Sequence, residues 1–407
     1  MNVIEGGVTA AKGFMAAGVA AGVKKQGRKD MALIYSEVPA VTAGVFTTNV
    51  VKAAPVKRDI RLVAEHRTAQ AVILNAGIAN ACTGEEGDRT NEAMAAAAAR
   101  ALGIDTESVL TASTGVIGMQ LPADIVEKGA GMLKEALSDS IEAGTSAAES
   151  IMTTDTVKKE CSVQYELEGK TITIGAMTKG SGMIHPNMAT MLCTVTTDLA
   201  ISKELLAEAL QEDVKKTFNM ISVDRDTSTN DSYIILANGM AGNQEITGKG
   251  EAYTQFCQAL NTVTTYLARK MAADGEGATK LLEVKVIHAA SEEDAGILSK
   301  SVITSNLVKT AVYGSDANWG RIFCAMGYSG VSFNPDIVDL YIESRDGRLQ
   351  LVSNGMMTDY SEEEATKILS AAEVTAVADM KAGDAQATAW GCDLTYDYVK
   401  INGDYRS

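Results

Sequence analysis

With 407 residues the chain is long enough for more than one hydrophobic core, and 46% apolar against 22% charged residues is the balance of an ordinary folded protein, which excludes disordered and fibrous classes. A formal charge of −16 argues against a nucleic-acid partner, because phosphates would be repelled; the one short basic run, KKQGRK at 24–29, reads as a solvated turn. No apolar run has the length that spans a bilayer, and the first residues lack a basic segment followed by an apolar one, so neither a membrane nor a secretory route is expected and the cytoplasm is the expected location.

In chain order, the β-branched stretches 32–38, 43–49 and 71–77, each bounded by Gly or Asn, predict short strands with turns between them. Strong helix formers over 91–104, stopped by Gly103, predict a helix; 109–118 reads as a strand running into a glycine turn. A helix over 121–137 would carry Pro122 in its first turn, and a second is expected over 143–152. Residues 161–182 alternate around a Glu-Gly turn, as a hairpin does. The segment after Thr190 reads as a strand, 202–221 as a helix behind a Ser cap, SYIILANG as a buried strand and 253–277 as a long helix ending near a glycine turn. A strand from Leu281, helical sequence over 293–327 interrupted at GSDANWG, and short strands around a helix at 361–371 complete the chain. Strands in hairpins and singly among helices point to a mixed α/β sandwich rather than a strict βαβ array, with a smaller domain near 281–390.

Several motifs fail on inspection. GNQEITGKG at 242–250 has one residue too many between its glycines for a phosphate loop and no hydroxyl after the lysine. DRDTSTND at 224–231 begins like a calcium loop but has Thr229 where Gly is needed and Ile235 where the bidentate Glu belongs. His66, His185 and His288 show no ligand spacing, and Cys82, Cys161, Cys193, Cys257, Cys324 and Cys392 stand far apart, so neither a metal nor a disulfide framework is expected. Without a positioned histidine, a serine triad also lacks its base.

The stretch that remains is KGSGMIHPNMATML, 179–192. A threonine hydroxyl is a poor nucleophile unless something takes its proton. A threonine that begins a chain carries its own base, since a free α-amine has a pKa of about 7.7–8. Cutting the Ala189–Thr190 bond would create that arrangement, and Gly180, Gly182 and Pro186 would shape the loop ahead of it. On the residues alone, a glycine-rich loop feeding an ordinary strand stays open beside this reading.

The motif closely resembles the self-processing segment of the ornithine acetyltransferase family, the bifunctional arginine-biosynthesis or glutamate N-acetyltransferases. The resemblance extends over the chain through IANACTG (78–84), ASTGVIG (112–118), TTDT (153–156), DRDTSTND, SDANWGRI (315–322) and INGDYRS (401–407). Arg225 departs from it where the family pattern DGDTSTND has a small residue, and Ser407 where Thr is frequent. The resemblance implies a layered α-β-β-α sandwich like that of N-terminal-nucleophile enzymes, cut into an α chain (1–189) and a β chain (190–407) that assemble as α₂β₂. It implies Thr190 as nucleophile, Thr114 and Gly115 as oxyanion hole, and Thr156, Lys179, Glu276, Asn402 and Ser407, with Thr190, as substrate contacts. The substrates would be N2-acetylornithine and glutamate, with no bound cofactor and acetyl-CoA as a possible co-substrate. The alternative is an amidohydrolase or aminopeptidase using the same processed threonine, or an unprocessed binding protein.

Overall fold

The computed structural model describes residues 1–185 and 191–404; Ala189, Thr190 and Ser407 therefore lie outside the described residues. The chain divides into two compact units, one of Met1–Gly180, Pro186–Asn219 and Thr227–Leu267, the other of Ser181–His185, Met220–Asp226 and Ala268–Ser407.

Among the described residues of the first unit, nine strands form one sheet. Its spatial order is Asn2–Ile4, Lys159–Leu167, Lys170–Lys179, Leu192–Thr197, Ser232–Ala237, Met31–Phe46, Thr68–Ile78 and Val109–Val116, with Phe14–Val19 also paired to Met31–Phe46. Alternate residues of a strand face opposite ways, and here the two faces enter different cores. Met31, Leu33, Ala71 and Ile73 pack with Met94, Ala95 and Ala98 of the helix Gly84–Leu102 and with Val126, Ala130 and Leu133 of the helix Ala123–Ala136. Their neighbours Ala32, Ile34, Val72, Leu74, Leu110 and Ala112 share a second core with Met177, Leu192, Ile234 and Leu236. That second core is filled from both halves of the same sheet, so the sheet is folded over on itself. On the far side, Tyr233 donates to Asp213 of the helix Lys203–Lys216 (3.0 Å), and Asn261 and Thr264 of the helix Glu251–Ala273 donate to the same carboxylate. Helix, sheet half, sheet half, helix is the α-β-β-α sandwich.

The stretches 32–38 and 43–49 are one strand, Met31–Phe46, not two. Pro39 falls within a register irregularity between Tyr35 and Ala40, where the missing N–H breaks no ladder bond, so the chain bends without turning back. The helix expected from Asn91 begins seven residues earlier, at Gly84, and Pro122 caps Ala123–Ala136 from outside instead of sitting in its first turn. The helix expected to reach residue 221 stops at Lys216, where Thr217 leaves helical geometry (φ −123°, ψ −94°) and turns its hydroxyl back onto the Asp213 carbonyl. Lys24 is no solvated turn residue: it is half-buried, and its ammonium donates to the carbonyls of Lys29, Ser150 and Met152, closing the end of the helix Ile141–Ser150.

Among the described residues of the second unit, a seven-stranded sheet runs Met356–Met357, Gly347–Ser353, Asp339–Ser344, Glu373–Asp379, Leu281–Ala289, Ala385–Cys392 and Ile221–Ser222. Its helical stretch breaks twice, giving Glu292–Ile303, Asn306–Tyr313 and Trp319–Gly327. The additional break is at Ser305, whose hydroxyl caps the second helix through the Val308 N–H.

Candidate active site

Thr114 and Gly115 sit within the last residues of Val109–Val116, still in the sheet and beside the end of Thr68–Ile78, with the register slipping at Gly77 and Ile78. Gly115 has φ +132°, and a Cβ there would lie 2.2 Å from the Gly77 carbonyl carbon and 2.6 Å from the Ile78 nitrogen. Only glycine fits both that conformation and that approach. Beneath it a buried amide network locks the strand ends. Ser113 donates to Asn75 (2.6 Å), Asn75 donates to the Ile78 carbonyl, and Asn230 donates to the carbonyls of Ala79 (2.6 Å) and Ser113 (2.8 Å). DRDTSTND, which lacks the residues of a calcium loop, thus supplies through Asn230 the clamp on the candidate oxyanion strand. Its Asp231 is fully buried, and burial pushes its carboxyl well above the usual range.

Lys179 ends the strand Lys170–Lys179 and is buried to 7% exposure. Its ammonium donates to Thr153 (2.8 Å) and to Thr114 (3.4 Å), so two sequence-predicted residues 65 positions apart meet at one point. Asp155 lies under them. It accepts from Lys159 (2.7 Å), from the Gly180 N–H (2.7 Å) and from the Thr153 N–H (3.0 Å), with Lys179 Nζ 3.9 Å away. Burial pushes this carboxyl up, but the Lys179 and Lys159 ammonium groups outweigh it and hold Asp155 below the ordinary carboxylate range. Thr156 follows Asp155, exposed, in the loop six residues beyond the end of Ile141–Ser150, and so is not a helix-ending hydroxyl.

Glu276 and Asn402 belong to the second unit. Glu276 is buried and accepts from Asn402 Nδ2 at 2.7 Å. The Glu276 N–H donates to the Ser181 carbonyl, and a Cβ on Gly182 would fall 2.3 Å from the Glu276 carboxyl group. Gly182 is therefore small to make room for Glu276. Among the described residues of this loop Met183 is left-handed (φ 55°), and its N–H, with that of Ile184, is held by Asp224. Arg225, at the position where the resembled pattern has a small residue, is also left-handed (φ 71°), a conformation that a small residue adopts at less cost. His185 faces the Ser222 hydroxyl at 3.1 Å, and burial, with Lys300 and Arg225 adding to it, lowers its pKa to about 4.

Sequence reasoning missed Asp155, Lys159, Thr153 and Asn230. TTDT followed by KK carried a signal for the first three, since an Asp and a Lys four apart can pair, but nothing local says that both are buried. Among the described residues no cluster could hold a metal ion, and no helix is long and apolar enough to cross a membrane.

Residues 15–407 match the model of the ArgJ family. An arginine biosynthesis bifunctional protein ArgJ from Symbiobacterium thermophilum is 53% identical over the whole of both chains. A solved structure of the Bacillus halodurans arginine biosynthesis bifunctional protein argJ has 44% identity and a TM-score of 0.49, covering 52% of this chain and 96% of its own. That of ornithine acetyltransferase complexed with ornithine, from Mycobacterium tuberculosis, has 41% identity and a TM-score of 0.44, covering 46% of this chain and 99% of its own.

Proposed function

Since the chain belongs to the ArgJ family, we propose that it is the acetyltransferase of arginine biosynthesis that carries the acetyl group of N2-acetylornithine to glutamate. Scission of Ala189–Thr190 frees an α-amine beside the Thr190 hydroxyl. The hydroxyl attacks the acetyl carbonyl and gives its proton to that amine. Donors at Thr114 and Gly115 hold the oxyanion, which collapses with cleavage of the C–N bond, and the proton passes to departing ornithine. Glutamate's amine then takes the acetyl group from the Thr190 ester by the reverse steps. The Lys179 ammonium pairs with the α-carboxylate that both amino acids share. Thr156, Glu276, Asn402 and Ser407 are read as further substrate contacts. The two pieces of the precursor stay together as α₂β₂ in the cytoplasm, with no resident cofactor and acetyl-CoA as a second acetyl donor.

The observation that supports this reading best is the meeting of Lys179 Nζ and Thr114 Oγ1, 3.4 Å apart, beside a strand end that only glycine can form. It gives a carboxylate-binding cation a place next to the candidate oxyanion donors. Purified protein supplied with N2-acetylornithine should form N-acetylglutamate only when glutamate is added. Acetate released as fast without glutamate would make the protein a hydrolase instead.

A further inference from the structure

Lys179 cannot do its work unless its position is fixed, and one carboxylate holds several of the groups around it. Asp155 holds the N–H of Gly180, the residue after Lys179, and the N–H of Thr153, whose hydroxyl receives the Lys179 ammonium. Its closest cation is Lys159 at 2.7 Å, with both side chains fully buried, whereas Lys179 stands off at 3.9 Å. A buried carboxylate facing Lys179 alone would draw that ammonium into a contact pair and away from a substrate; a buried Lys159 alone would repel it. We infer that Asp155, paired most closely with Lys159, is a positioning residue that sets the place of Lys179 for the substrate's α-carboxylate. The inference rests on the reading of Lys179 as a carboxylate ligand.

Among the described residues, charged groups close enough to act on the cluster include Lys24, itself influenced by Arg28 and Asp30, and Asp231. Burial, then Arg28, lowers Lys24 to about 8, with Lys179 adding to the effect. A cation added or removed here is therefore felt by its neighbours.

The test compares Asp155→Asn, Asp155→Asn/Lys159→Gln and Lys179→Met in the full-length protein, measuring KM and kcat for N2-acetylornithine and glutamate from pH 6.5 to 9. In Asp155→Asn, Lys159 and Lys179 face each other without a carboxylate, so one loses its proton at lower pH. KM for both substrates should rise about tenfold, the loss of one charge-assisted contact, and should climb further with pH, while kcat changes less. The double variant removes the opposing cation along with the carboxylate and keeps a polar pair of similar size. It should fold even if the single variant does not, and its KM should lose the extra pH dependence. Two results overturn the inference: a folded Asp155→Asn with the parental KM and pH profile, or a double variant whose KM climbs with pH as steeply as the single variant's. Lys179→Met separates the two levels of argument. An unchanged KM there defeats the carboxylate reading itself, whereas a raised KM there with a parental Asp155→Asn defeats only the role of Asp155.

Discussion

Gly115 shows how much a single absent side chain decides. The strand Val109–Val116 can bring Thr114 level with Ala76 and Ile78 only because the backbone at Gly115 closes onto Gly77. Gly115→Ala puts a methyl group 2.2 Å from a carbonyl carbon that has no flexible end to move, in a conformation costing on the order of 1–3 kcal/mol for a residue with a Cβ. The strand end must shift, and the oxyanion donors shift with it. We expect kcat to fall about 100-fold, the loss of one oxyanion donor, with KM changing less. Steady-state kinetics on the folded variant checks this, and a parental kcat would remove Gly115 from the site. Gly182 meets a different demand, room for the Glu276 carboxylate, so two glycines read alike in sequence serve different ends.

At the scale of elements, the outer helices are tied to the sheet by a polar contact as well as an apolar one. Asp213 is buried in Lys203–Lys216 and receives hydrogen bonds from Tyr233, Asn261, Thr264 and Thr217. Burial raises its pKa from 3.8 to about 6, the four donors pulling the other way. A carboxyl with a raised folded-state pKa binds its proton more tightly when folded, so its contribution to stability improves as pH falls from 6 toward 3.8. Above pH 6 it carries a cost of about 3 kcal/mol, two pKa units at 1.36 kcal/mol each. Asp213→Asn should remove that share of the slope. The difference in unfolding free energy between the two proteins, followed by denaturant titration from pH 4 to 7, should vary by a few kcal/mol; a constant difference would contradict the assignment.

For the whole molecule, what could be read in advance was what local pattern encodes. The β-branched run within Thr68–Ile78, the apolar run of Ser232–Ala237, the Ser202 cap, the Gly103 stop and the Glu168–Gly169 hairpin turn all appear where composition and turn chemistry put them. The folding of one sheet upon itself was not legible, because it depends on which face of each strand meets which partner far along the chain. Neither was the continuity of Met31–Phe46, since a proline between two β-branched runs looks the same for a turn as for a bulge. The candidate site divides the same way. Lys179, Thr114 and Gly115 were nameable from motifs, but Asp155 and Asn230 owe their roles to contacts across 25 to 151 positions, which no spacing announces, and Lys159 to a burial that its place four residues after Asp155 does not reveal.

The proposed activity requires an acetyl group carried by a threonine that begins its own chain. Mass measurement of the denatured protein, quenched after brief exposure to N2-acetylornithine without glutamate, addresses both parts together. The expected result is two chains, the second starting at Thr190 and heavier by one acetyl group on that residue, with the extra mass gone once glutamate is added. An intact single chain with full activity, or an acetyl group that never appears on Thr190, would contradict it.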